Sequence, residues 1–266
     1  LSSLRWGRRA LNSVIYGPVP SWRLGRSLGI DLLSTPGKTC SFNCIYCQLG
    51  RTTYWTADRR ELIPLEKVLS ELRTAKGVAA DWVTFSGMGE PTLASNLGRA
   101  IELAREILGL PVAVLTNSSL MTRRDVRQEL ARADLVVAKL DAPNEELFQR
   151  INHPIAGISL AELLKGIRLF KSEHRGRLAL QLMFVEQNKD HAKELAQLAT
   201  EISPDEVQLN TPLRPCPVKP LSREQMSRIK REFENLPARI SMVYEAPRPE
   251  VTPLDLEQTL RRRIKL

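Results

Sequence analysis

Apolar positions along the chain follow two spacings. Short, nearly continuous apolar runs rich in β-branched residues occur at 81–86 (DWVTFS), 111–117 (PVAVLTN), 134–141 (DLVVAKLD), 177–185 and 206–211, with 28–33 (LGIDLL) ahead of them. Their length and composition predict buried strands. Between them, apolar residues recur every three or four positions: Leu65, Val68, Leu69 and Leu72 after Pro64, then Leu97, Ile101, Ala104 and Leu108. That spacing puts one apolar stripe on a helix, and proline suits a helix start. Further helices are expected at 123–131, 160–171 and 192–199; a loop carrying Pro143 follows the strand at 134–141.

Six strands alternating with helices predict a parallel sheet with helices outside it and right-handed crossovers. The units are too few for an eight-fold barrel. The favoured α/β fold is therefore a partial (β/α)6 TIM-like barrel, an open parallel sheet with outer helices; a doubly wound sheet fits the periodicity nearly as well. In both, chemistry belongs at the C-terminal ends of the strands. The expected organisation is an N-terminal extension at 1–27, a core at 28–221 and a C-terminal helical or mixed cap at 222–266. The cap holds a helix at 222–234, a strand at 239–245 and a helix at 252–263.

With 42% hydrophobic and 26% charged residues, the chain is an ordinary globular one. No run approaches the roughly 20 apolar residues that cross a bilayer, and basic residues 1–9 lack the apolar core of a secretory signal. A cytoplasmic protein with no membrane contact is expected. The formal charge of +9 changes the picture more. It suits anionic small molecules or RNA, the latter if the basic residues share a face. Arg5, Arg8, Arg9, Arg23 and Arg26 cluster near one end, and Arg261, Arg262, Arg263 and Lys265 at the other.

Three of the four cysteines, Cys40, Cys44 and Cys47, form C-x3-C-x2-C in PGKTCSFNCIYCQLG. In a long cytosolic-looking chain such a group reads as metal ligands. A loop of this spacing can wrap three corners of a cubane cluster and leave the fourth iron open to another molecule. Structural zinc would need a distant fourth ligand, and His153, His174 and His191 are all remote in sequence.

This loop resembles that of the radical S-adenosylmethionine (SAM) superfamily. The resemblance implies one [4Fe–4S] cluster on Cys40, Cys44 and Cys47, SAM chelating the open iron, and Tyr46 near the adenine. FSGMGEPTL resembles the family's glycine–glutamate segment, which implies that Gly87, Met88, Gly89 and Glu90 meet the methionine amino group. Asn117 and Ser118 on the third strand's end, Lys139 and Asp141 on the fourth's, and then Gln181, Asn188 and Asn210 are implied cofactor-binding residues. YGPVPSWRLGRSLGID, KLDAPNEELFQRIN and QLNTPLRP resemble the branch that contains the tRNA-modifying wybutosine-synthesis enzyme and smaller bacterial and archaeal relatives. No cysteines precede Cys40, so no second cluster is expected. Cys216 and Arg214, in the proline-rich loop after the sixth strand, are candidate catalytic or substrate-binding residues.

The implied activity is reductive cleavage of SAM to a 5′-deoxyadenosyl radical that abstracts hydrogen from a substrate, with an RNA nucleotide as candidate. An external one-electron donor such as flavodoxin or ferredoxin is the implied partner. The alternatives are modification of a peptide or small anionic metabolite, a non-catalytic iron–sulfur electron carrier, or a zinc-stabilised nucleic-acid-binding protein.

Overall fold

The computed structural model describes residues 13–262. In chain order the strands are β1 (Ile15–Ser21), β2 (Gly25–Ile30), β3 (Thr39–Cys40), β4 (Tyr54–Trp55), β5 (Trp82–Phe85), β6 (Val112–Thr116), β7 (Leu135–Lys139), β8 (Arg177–Met183), β9 (Glu206–Asn210) and β10 (Arg239–Met242). The helices are α1 (Leu65–Thr74), α2 (Leu97–Leu108), α3 (Arg124–Leu130), α4 (Glu145–Asn152), α5 (Leu160–Glu173), α6 (Ala192–Ile202), α7 (Arg223–Arg231) and α8 (Leu256–Arg262).

One sheet runs β1-β2-β5-β6-β7-β8-β9-β10, and β3 pairs with β4 alone. All neighbours from β2 to β10 are parallel, while β1 returns antiparallel on β2. The strands follow chain order with no reversal. A doubly wound sheet reverses at a switch point, so that alternative is excluded. The fold is an open, curled partial barrel with its strands in chain order. β1 lies within the stretch read as an extension, and β10 within the stretch read as a cap; both are hydrogen-bonded into the sheet.

The strands are apolar on both faces because helices cover one and the barrel interior the other. Val83, Val112, Val114, Val136, Leu180 and Val207 are fully buried. Three aspartates repeat one device at the other end of the barrel. Asp81, Asp134 and Asp205 each stand one residue before a strand, and their carboxylates accept backbone N–H groups from the neighbouring strand's start: Arg26 at 2.7 Å, Val112 at 2.8 Å and Leu178 at 2.8 Å. Each also pairs with a cation, respectively Arg26, Arg105 and Lys171. Among the described residues no helix is long and apolar enough to cross a membrane.

Candidate active site

The cysteine loop leaves the C-terminal end of β2 and is held from two sides. On one, Thr39 donates its N–H to the Met88 carbonyl at 2.9 Å, and Glu90 N–H returns to the Thr39 carbonyl at 3.2 Å. Glycine is required here. A Cβ on Gly89 would sit 1.6 Å from the Thr39 carbonyl oxygen, and one on Gly87 2.2 Å from Asp31, both at positive φ. On the other side, Asn43 and Ile45 donate N–H groups to carbonyls at the end of α4, and Ile155 N–H meets the Ser41 carbonyl at 2.8 Å. The loop thus hangs between the GMGEP turn and the α4 terminus.

Cys40 is buried; Cys44 and Cys47 are half-buried, and none is in a disulfide. Lys38, 4% exposed, stands among the three thiols. Burial opposes its ammonium, yet Cys47, Cys40 and Cys44 outweigh that and raise its pKa above the ordinary lysine value. Burial pushes the Cys40 thiol up to about 12 and raises that of Cys44, with Lys38 pulling both the other way. Side-chain amides reach two of the sulfurs: Asn117 Nδ2 lies 3.6 Å from Cys40 Sγ and Asn152 Nδ2 lies 3.5 Å from Cys44 Sγ. Thiolates need such compensation away from water, and donors to sulfur also tune a cluster's potential. Among the described residues no three His, Cys, Asp or Glu side chains stand close enough to hold a single metal ion. Three thiols from one short loop, a buried cation between them and amide donors behind them fit a multi-iron group. Cys216 does not join them; its Sγ contacts the Val218 carbonyl at 3.2 Å and packs against the core.

Beside this loop, Tyr46, Lys139, Asp141 and Asn152 form one network. Tyr46 Oη donates a short bond to Asp141 Oδ2, and Asn152 Nδ2 reaches the same oxygen at 2.8 Å. Lys139 Nζ lies 3.4 Å from Asp141 Oδ1 and 4.8 Å from the Tyr46 ring centroid. Burial, then the Asp141 charge, pushes the Tyr46 hydroxyl well above the ordinary phenol range.

The Glu90 carboxylate is consumed by the protein. Oε1 accepts from Thr92 N, Thr92 Oγ1 and Thr116 Oγ1 at 3.1, 2.7 and 2.7 Å, and Oε2 from Asn117 N at 2.6 Å. Burial nonetheless raises its pKa against those bonds. Asn117 Oδ1 accepts from Ser119 N at 3.0 Å, and Ser118 Oγ donates to the Lys139 carbonyl at 3.2 Å. Asn188 is fully buried: its Nδ2 donates to the Asp141 and Met183 carbonyls and its Oδ1 accepts from Val185 N. It ties strand ends together and offers the cavity nothing.

A cavity of about 260 Å³ lies over the strand ends and reaches Tyr46, Cys47, Gly87, Gln181, Asn210 and Arg214. Arg214 Nη1 donates to Gln48 Oε1 at 3.0 Å. Sequence reasoning missed Lys38, Asn152 and the fully buried ion pair of Arg262 and Asp31, 2.7 Å, under Tyr16. Burial pushes the Asp31 carboxyl up, with Arg262 and the Met88 and Leu33 amides opposing it. Lys38 alone carried a signal, two residues from Cys40. Of the basic clusters, Arg262 is internal, while Arg5, Arg8, Arg9, Arg263 and Lys265 lie outside the described residues.

The family model of the radical SAM superfamily matches residues 34–199. A UPF0026 protein of Synechocystis is 46% identical over 79% of this chain and 78% of its own length. A probable dual-specificity RNA methyltransferase RlmN of Synechococcus is 28% identical over 71% of this chain and 54% of its own. SuiB of Streptococcus suis, solved bound to S-adenosylmethionine, matches with a TM-score of 0.60 at 16% identity, over 82% of this chain and 47% of that one. The chain thus spans about half of SuiB, and that likeness concerns the fold.

Proposed function

This chain belongs to the radical SAM superfamily, an enzyme family whose members bind SAM and a [4Fe–4S] cluster, and from that premise we propose that Cys40, Cys44 and Cys47 hold the cluster and that SAM is cleaved over the strand ends to abstract hydrogen from an RNA nucleotide. The observation that carries this reading is the convergence of three thiols on one loop around Lys38, with Cys47 and Tyr46 opening onto a cavity of about 260 Å³. Membership in an enzyme family also removes the electron-carrier and zinc-protein readings.

Cys40, Cys44 and Cys47 would hold the cluster, and the chemistry it would supply there is one-electron reduction of the sulfonium, splitting SAM into methionine and a 5′-deoxyadenosyl radical able to take a hydrogen atom from the substrate. The protein's part is position and dryness. Asn117 and Asn152 aim N–H groups at Cys40 and Cys44. Glu90, saturated by four protein donors, fixes the GMGEP turn, and Ser86 and Gly87, which line the cavity, are the proposed acceptors of the methionine ammonium through their backbone carbonyls. Tyr46, clamped by Asp141 and Asn152, offers a ring to the adenine. Gln181 and Asn210 line the same cavity and are the proposed contacts for the ribose. Arg214 faces the same space and is a candidate substrate contact; Cys216 packs outside it.

A one-electron donor outside the chain, such as flavodoxin or ferredoxin, provides the reductant. An RNA target draws support from the RlmN relative and from the +9 charge. Reduced, reconstituted protein is expected to convert SAM to 5′-deoxyadenosine and methionine, and Cys44→Ala to remove that activity while circular dichroism stays unchanged. Turnover that survives Cys44→Ala would sink the assignment.

A further inference from the structure

The mouth of the cavity carries more positive charge than SAM calls for. Among the described residues that line it there is no aspartate or glutamate, while Arg23, Arg214, Arg248 and Arg262 all do. Arg262 is committed to Asp31, and Arg23 and Arg214 have interactions of their own within the chain. SAM sets one carboxylate against a sulfonium and an ammonium, so its net charge is positive and an arginine-lined wall without a carboxylate repels it. Such a wall suits an anionic second molecule.

The charge continues outside the cavity. Ser21, Trp22, Arg23 and Arg248 also line a groove of about 530 Å³ beside the gap between the edge strands β1 and β10, and Arg239 of β10 joins them there. Its two acids are engaged elsewhere: Glu206 accepts from Gln208 and Ser241 at 3.2 and 3.0 Å, and Glu245 pairs with Lys230 at 2.7 Å. Arg239 and Arg248 are exposed, and their guanidinium groups make no hydrogen bond or ion pair among the described residues. The half-buried Trp22 ring has the Arg23 guanidinium 4.9 Å from its centroid. An aromatic face beside cations that track outward is how single strands are bound, by stacking on bases and neutralising phosphates.

We propose that the gap between β1 and β10 is the path by which a single-stranded polynucleotide reaches the cavity, with Arg239 and Arg248 on its phosphates and the Trp22–Arg23 pair stacked on a base beside the reacting nucleotide. This rests on reading the strand-end cavity as the reaction chamber and adds the surface that delivers the substrate to it.

The test is fluorescence anisotropy of a labelled mixed-sequence single-stranded RNA over a salt series. It compares the reconstituted wild type with Arg239→Ala/Arg248→Ala, Arg248→Glu, and Arg124→Ala on the outer helix α3. The double variant is expected to bind about tenfold more weakly, and the slope of log affinity against log salt to fall by about 1.4, roughly 0.7 for each phosphate no longer neutralised. Arg248→Glu is expected to weaken binding similarly, and Arg124→Ala to leave it unchanged. Formation of 5′-deoxyadenosine without RNA is expected to persist in Arg124→Ala, which lies outside the cavity. Unchanged affinity and slope in the groove variants, or an equal loss in Arg124→Ala, overturns the proposal. So does displacement of the RNA by AMP or by polyglutamate as readily as by unlabelled RNA, which would assign the groove to a lone phosphate or an acidic peptide. Arginine-dependent RNA binding in a wild type that forms no 5′-deoxyadenosine would uphold the groove and remove the proposed chemistry.

Discussion

The Asn152 amide nitrogen is shared by three acceptors: Asp141 Oδ2 at 2.8 Å, Tyr46 Oη at 3.2 Å and Cys44 Sγ at 3.5 Å. Its own Oδ1 is buried without a partner, so the residue is kept for what its nitrogen does. Asn152→Ala is expected to cost about 1–3 kcal/mol, because a buried carboxylate and a thiol lose a donor they cannot replace with water. Urea unfolding of the cluster-free protein measures this; an unchanged midpoint would contradict the network. Legibility at this scale follows sequence separation. Cys40, Cys44 and Cys47 share one short loop, so their spacing announces them, and the glycines of GMGEP stand out by type. Asn152 lies 108 residues from Cys44, and nothing in the local pattern of QRINHP links the two. Asn188 misleads because a polar residue beyond a strand looks like a ligand contact, whereas its whole side chain is spent on backbone.

Among the elements, the strands are the most legible, since β5 to β9 are apolar on both faces and bounded by turns or charge. Two elements are not. β1 carries Pro18 and Pro20, which argue against a strand but are tolerated on a sheet edge. α4 reads as loop in the sequence because Pro143 and Pro154 flank it, although Asn144 caps it, its side chain accepting from Leu147 N at 3.0 Å. The strand-start aspartates make a pH prediction. For Asp81 the Arg26 guanidinium and N–H lower the pKa; for Asp134 and Asp205 burial opposes the shift, but the Val112 and Leu178 amides and the Arg105 and Lys171 cations win. A depressed folded pKa gives stability that is present above the unfolded value, about 3.9, and is lost as the pH falls below it. Each group is partly exposed, so each contributes under about 1 kcal/mol. Urea midpoints are expected to hold from neutral pH to about 5 and fall below about 4, by less when Asp134→Asn and Asp205→Asn are combined. An equal fall in that double variant would contradict the device.

Over the whole molecule, the Arg262–Asp31 pair joins residues 231 positions apart and ties α8 to the loop that leads into the cysteines. Arg262 also donates to Ser34 Oγ at 2.9 Å, and its carbonyl accepts from Gln48 Nε2 at 3.3 Å. Gly17 N–H adds a bond to Thr259 Oγ1 at 2.9 Å. Both members are almost fully buried, so Arg262→Met strands a carboxylate and is expected to cost about 3–5 kcal/mol, while Arg262→Met with Asp31→Asn recovers much of it. Thermal unfolding decides; equal losses in the single and double variants would contradict the coupling. The terminal arginines suggest a solvated basic face in the sequence, and the turn of α8 that drives Arg262 inward depends on long-range packing that composition does not encode. The central claim, that these three cysteines hold a cluster which meets SAM, is tested most directly by electron paramagnetic resonance of the anaerobically reconstituted, reduced protein with and without SAM. The account predicts a [4Fe–4S]⁺ signal that SAM perturbs and that Cys44→Ala abolishes; a signal indifferent to SAM, or one that survives Cys44→Ala unchanged, would contradict it.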